Sequence, residues 1–213
     1  MQDAGWYISR LGDFSFAAKA GHNAEPHNHN DVGSFIIADM TGQVLADYGS
    51  GEYTNHYFMR HTRYLDLCNS SRGHSVPEID GIAQRDGREY SSENVSASAE
   101  GFCMNMAKAY PHATLKRLER SFKIEQNKVT LYDIYEFSDS CEHSVCERFV
   151  SLIKPEISAD GVKIGRFLLK CEHTPVIAQG AVKNHVTYQP ETLYFVEYMG
   201  NFRRFKLEIE EKN

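Results

Sequence analysis

The stretches LKRLERSFKI (Leu115 to Ile124) and VTLYDIYEF (Val129 to Phe137) flank the polar pair Gln126-Asn127 and read as one long hairpin. Side chains of a strand alternate between its two faces, so a period near two, rich in aromatic and β-branched residues, marks strand pairing. The pattern extends outward. Trp6 to Leu11, Phe14 to Ala20, Val32 to Ala38 and Gln43 to Tyr48 each read as a short strand. Cys146 to Ile153, Val162 to Lys170, His185 to Tyr188 and Leu193 to Met199 continue it, and Phe202 to Ile209 closes it. Thr41-Gly42, Asp80-Gly81, Asp86-Gly87 and Asp160-Gly161 supply tight turns, where glycine adopts the positive φ that primed hairpin turns require. About a dozen strands with this punctuation predict an all-β fold, an antiparallel two-sheet β-sandwich. Only Asn55 to Cys68 suggests a helix, and a short one. With no Pro/Ser linker, repeat or low-complexity stretch, residues 1–213 are expected to form a single domain.

Composition narrows the function. The chain has 213 residues, 41% apolar and 24% charged, which is the usage of an ordinary globular protein. A net charge of −6 has the wrong sign for a general nucleic-acid binder, which needs a basic stripe to neutralise phosphates. No apolar run is long enough to span a bilayer, and the N-terminus lacks a basic-then-apolar signal pattern. A soluble chain without nucleic-acid or membrane partners is expected, periplasmic or cytoplasmic. The five cysteines are odd in number and lack zinc-ribbon spacing. Cys141 and Cys146 are near enough in sequence for a small disulfide, but free thiols are the expectation. The Asn69-Ser70-Ser71 and Asn94-Val95-Ser96 sequons carry little weight.

Six of the ten histidines (His22, His27, His29, His56, His61 and His74) fall within the first 74 residues. The densest piece is GHNAEPHNHND, Gly21 to Asp31, immediately before the strand that begins at Val32. In an extended segment, residues two apart point the same way, so His27 and His29 are expected to face one site together. Neutral imidazole is a common metal ligand, and a carboxylate from elsewhere would complete a site. A lone histidine in such a loop reads as an inert surface residue; a His-x-His followed by Asn-Asp points to a metal or catalytic site.

The run GHNAEPHNHNDVGSF, Gly21 to Phe35, strongly resembles the sandwich domain of the heparinase II/III-like family of polysaccharide lyases. AGWYISR (Ala4 to Arg10) resembles that family's opening strand, LADYGSGEYT (Leu45 to Thr54) its aspartate-bearing strand, and NSSRGHSVP (Asn69 to Pro77) its Gly-His-Ser segment. The resemblance implies a structural zinc held by His29, Asp47 and His74, with water or another group as fourth ligand. Two nitrogens and one carboxylate oxygen suit zinc. It also implies β-elimination of an acidic, uronic-acid-containing polysaccharide of the glycosaminoglycan type, with His27 as the catalytic histidine contributed to the cleft. Such chemistry stabilises the enolate that develops beside the uronate carboxylate and moves protons on and off carbon and the leaving oxygen. The family's catalytic tyrosine belongs to an N-terminal α/α toroid, and no succession of amphipathic helices stands here. The expectation is therefore a C-terminal domain that partners a missing toroid and is inactive alone; Tyr53 and Tyr57 are the tyrosines nearest the histidine loop.

Two other readings compete. One is a carbohydrate-binding or structural sandwich whose metal only braces loops. The other is a non-haem iron oxygenase using His29, Asp31 and His74 as a facial triad, with Arg85 holding an acidic cosubstrate. Against the second, Arg85 is followed by Asp86-Gly87 and not by the Arg-x-Ser pattern of that class. A cupin reading is weaker still, because Gly33, Ser34 and Phe35 stand where its glutamate belongs.

Overall fold

The computed structural model describes residues 5–59 and 62–212; Ala4 of the opening motif and His61 lie outside them. The long hairpin forms as expected. Strands Leu115–Glu125 and Lys128–Phe137 pair antiparallel with Glu125 opposite Lys128, so Gln126-Asn127 is a two-residue turn. This hairpin is the middle of an eight-stranded antiparallel sheet. It continues through Gly101–Asn105 and Glu93–Ser98 on one side. On the other side follow Arg204–Glu211, Phe167–Lys170, Gly161–Ile164 and Glu156–Ser158.

The opposite layer consists of two four-stranded sheets laid edge to edge. The first runs Trp6–Leu11, Phe14–Lys19, Phe35–Asp39, Gly42–Leu45; the second runs Pro175–Lys183, Pro190–Gly200, Val145–Ser151, Glu78–Ile79. They meet where the Ala46 N–H donates to the Val150 carbonyl (2.8 Å) and the Ser151 hydroxyl to the Val44 carbonyl (2.7 Å). The seam also fixes the backbone next to Asp47, which lies one residue beyond it.

Aromatic side chains weld the layers. Phe16 and Phe35 from the first small sheet approach Phe122 of the hairpin with ring centroids 4.9 and 5.1 Å apart. Phe35 also meets Phe149 of the second small sheet at 6.1 Å. All four are buried, and each contributes about 1.5–3 kcal/mol by leaving water. One contiguous apolar cluster spans the three sheets. The all-β, antiparallel sandwich read from the sequence is therefore the observed fold.

Details differ. Eighteen strands are present among the described residues where about a dozen were expected. His185 to Tyr188 is a turn and not a strand: it joins Pro175–Lys183 to Pro190–Gly200. The cause is local, since the Asn184 side chain accepts the N–H groups of Val186 and Thr187 and overrides their β-propensity. The strand Glu93–Ser98 is exposed along its whole length, so it carries no apolar alternation to read. The expected helix shrinks to Asn55–Phe58, capped by Thr54, with a 3-10 turn at Arg63–Leu65. All five cysteines are free. Among the described residues no helix is long and apolar enough to cross a membrane.

Candidate metal centre

Three loops at one edge of the sandwich bring His29, Asp47 and His74 together. His29 lies between the short strand His22–Asn23 and the strand Phe35–Asp39; Asp47 follows Gly42–Leu45; His74 ends the 3-10 turn Ser71–Gly73. One ligand atom from each residue falls within 4.8 Å of the others. The two imidazole rings are 5.3 Å apart, and the Asp47 Oδ2 is 3.6 Å from the His74 Nδ1.

The local chemistry prepares these atoms as ligands. His74 is buried, and its Nε2–H donates to the Cys68 carbonyl at 3.0 Å. That bond leaves a lone pair on Nδ1, which is buried and makes no hydrogen bond. A buried polar atom left bare costs about 1–3 kcal/mol, so a cation between this nitrogen, His29 and Asp47 fits the donor set. Fixing one ring nitrogen on a backbone carbonyl is how proteins orient a metal-binding histidine. The Asp47 Oδ1 accepts the Gly49 N–H at 2.8 Å, in a turn that glycine permits with φ +72, and this turns the other oxygen toward His74.

Ionisation agrees with that role. Burial, and next the neighbouring His74, push the His29 imidazole down to about 4, so it is neutral at physiological pH. Burial alone would raise the Asp47 carboxyl, but His74, the Gly49 N–H and His29 outweigh it and hold it below the ordinary range. A neutral imidazole and an ionised carboxylate are the forms that bind metal.

The other sequence candidates fall differently. Asp31 is buried and ion-paired with the buried Lys19, which also approaches Glu25 at 3.8 Å. Asp47, not Asp31, therefore joins the two histidines, and the trio the oxygenase reading requires is not the one that converges. The Arg85 guanidinium lies over the Tyr90 ring. His27 is exposed and sits in a turn at φ +59, so the extended-chain argument for its facing His29 does not hold. Its orientation comes instead from a left-handed backbone, costing about 1–2 kcal/mol, which is the kind of strain found at functional positions. Tyr57 is buried, while Tyr53 is half-exposed and packs against Tyr57, Phe58 and His185.

A second cluster was not singled out from the sequence. Asp80, His112 and His143 also bring ligand atoms within 4.8 Å. Here, however, the nitrogens are occupied. The His112 Nδ1 accepts the Leu115 N–H, so its Nε2–H donates to Asp80 at 3.0 Å. His143 places one nitrogen on Asp80 and the other on Asp139, each at 2.7 Å, and those carboxylates raise its pKa. This is an ionic clasp, whereas the His74 site leaves a nitrogen bare.

A two-layer antiparallel sandwich with a His–Asp–His recess at its loop edge defines a class of all-β domain able to seat one small cation. The chain belongs to the family described as Heparinase II/III-like, C-terminal, whose model matches residues 1–137. Among solved structures it is similar to heparan sulfate lyase HepC from Pedobacter heparinus, with a TM-score of 0.71 at 14% identity over 99% of this chain and 35% of that one. A heparinase III gene product superposes with a TM-score of 0.70 at 13% identity, covering 98% of this chain and 35% of that one. Another structure titled heparinase III gives 0.63 at 12% identity, covering 99% and 36%. The chain thus spans about a third of the length of these proteins. No curated protein matches the sequence. The family read from those four stretches of sequence is the family found.

Proposed function

We propose that this chain is the metal-braced sandwich domain of a polysaccharide lyase that cleaves uronic-acid-containing glycans by β-elimination. The observation that carries the metal is the bare, buried Nδ1 of His74 facing Asp47 beside a neutral His29. Zinc held there would bond three segments that are far apart in sequence and so favour the folded loops. His27, exposed on its strained turn next to that loop, is the residue this domain presents to substrate. As a proton carrier near the uronate it would help to stabilise the enolate or to move the proton. The principal base and much of the substrate groove belong to an α/α toroid partner, in line with the greater length of the solved relatives.

The test is the ultraviolet absorbance of unsaturated uronate, followed on heparan sulfate, hyaluronan, chondroitin and alginate. The 213-residue chain alone should give no turnover. Joined to its helical partner it should, and His27→Ala there should lower kcat by about 10²–10⁴. Turnover indifferent to that substitution would overturn the role of His27. Turnover by the chain alone would mean that it holds its own base, with Tyr53 and Tyr57 the first residues to replace.

A second reading, glycan binding without catalysis, is favoured by the aromatic group around Tyr53, whose ring stacks on His185 at 5.0 Å and stays half-exposed. Such faces bind sugar rings. Retained oligosaccharide affinity with no turnover in any longer form would support it.

A further inference from the structure

Arg120 is a charged residue with no exposed surface, in the middle strand of the large sheet. Each of its five N–H groups has an acceptor. The Nε–H donates to Asp133 at 3.0 Å, and one Nη donates to Asp133 at 2.6 Å and to Glu147 at 3.2 Å. The other Nη crosses to the opposite layer, donating to the Gly33 carbonyl at 3.0 Å and the Ser75 carbonyl at 2.7 Å. Those carbonyls are four residues from His29 and one from His74.

The connection reaches the third ligand as well. The Ser75 hydroxyl accepts the Val150 N–H at 3.1 Å, and the Val150 carbonyl accepts the N–H of Ala46, the residue before Asp47. The guanidinium is itself oriented by Asp133, directly across the hairpin, and by Glu147, whose other oxygen accepts the Tyr135 hydroxyl. Space around Gly33 is as restricted: its φ is +87, and a Cβ there would meet the Met106 sulfur at 2.3 Å.

We propose that Arg120 is the positioning residue of the metal centre, setting the spacing of the His29 and His74 loops from within the core. It touches no ligand; it acts by fixing two backbone carbonyls with one rigid planar fork, which a lysine ammonium cannot reproduce. The inference rests on the metal reading above. Removing the guanidinium alone would leave Asp133 and Glu147 buried without their partner and so destabilise the fold, which is why zinc affinity is read separately from stability. The loss specific to the site is the pair of bonds to the Gly33 and Ser75 carbonyls of the loops.

The experiment measures zinc affinity by competition with a calibrated chelator, alongside thermal unfolding in chelator. Arg120→Met should weaken zinc about 10–100-fold, the usual effect of removing a group that orients ligands. Arg120→Lys should fall between it and the wild type, and it carries the test if the Met variant does not fold. Phe167→Leu, in a strand of the far half of the large sheet, serves as the comparison: it should lower stability yet leave zinc affinity unchanged. A merely structural Arg120 would behave like Phe167, with unfolding shifted and affinity kept, and that result overturns the proposal. If the wild type retains no zinc, the metal reading itself fails and takes this role with it. If the wild type binds and both Arg120 variants bind as tightly, this inference alone falls.

Discussion

Asp47→Asn separates the metal from the fold. The Asn Oδ1 can still accept the Gly49 N–H that Asp47 accepts at 2.8 Å, and the side chain keeps its volume. In chelator the variant should therefore lie within about 1 kcal/mol of the wild type, or roughly 2–4 °C in Tm for a domain of this size. With free zinc at a hundred times Kd, the wild type gains about 2.7 kcal/mol, or some 5–11 °C. Losing a ligand should cost at least the 100-fold that losing a supporting partner costs. The same free zinc then gives Asp47→Asn only about 0.4 kcal/mol, a shift of roughly 1–2 °C. The assay is a pair of melting curves, by circular dichroism, in chelator and in buffered zinc. A variant that keeps the full zinc shift would refute Asp47 as a ligand. A variant that melts far below the wild type even in chelator would show that the carboxylate serves the fold.

Phe35→Ala removes a ring in contact with Phe16, Phe122 and Phe149 and should destabilise by about 3–5 kcal/mol in urea unfolding; a loss under 1 kcal/mol would mean that the layers are not welded there. The Asp80 clasp should give a pH-dependent signature. Bonds from His143, His112 and the Ser144 N–H outweigh burial and hold the Asp80 carboxyl down at about 2, so its contribution is present above its unfolded value and is lost as pH falls from about 4 toward 2. His143 is raised, so its share is full below about 6.5 and is lost as pH climbs through the raised value. The stability gap between wild type and Asp80→Asn should be widest near pH 4–6.5 and narrow on both sides; a gap that is flat with pH would end the clasp.

The central hairpin was legible because period two and a polar two-residue turn agree with each other, and tertiary packing asks for the same thing. His29, Asp47 and His74 were legible only as motifs. Their convergence depends on three loops and on a seam between sheets, and nothing in local propensity encodes it. His27 shows the limit of extending a strand pattern into a loop, since one left-handed residue redirects the chain. The clasp escaped notice because Asp80, His112 and His143 are single residues from distant segments. Arg120 and Asp133 did leave a signal. Each stands at an inward position of an otherwise apolar alternation, Arg120 between Leu118 and Phe122 and Asp133 between Leu131 and Tyr135. A charge in that register demands a buried partner, and the two face each other across the hairpin.

Zinc-edge X-ray absorption on the zinc-loaded chain tests the metal centre most directly. One zinc per chain should show a first shell of nitrogen and oxygen at about 2.0–2.1 Å, with outer-shell scattering from two imidazoles and no sulfur. His74→Ala should remove one imidazole or the metal altogether. Sulfur scattering near 2.3 Å would place Cys68, whose thiol burial pushes up to about 12, in the role given to Asp47. A spectrum with two imidazoles that persists unchanged in His74→Ala would contradict the account at its centre.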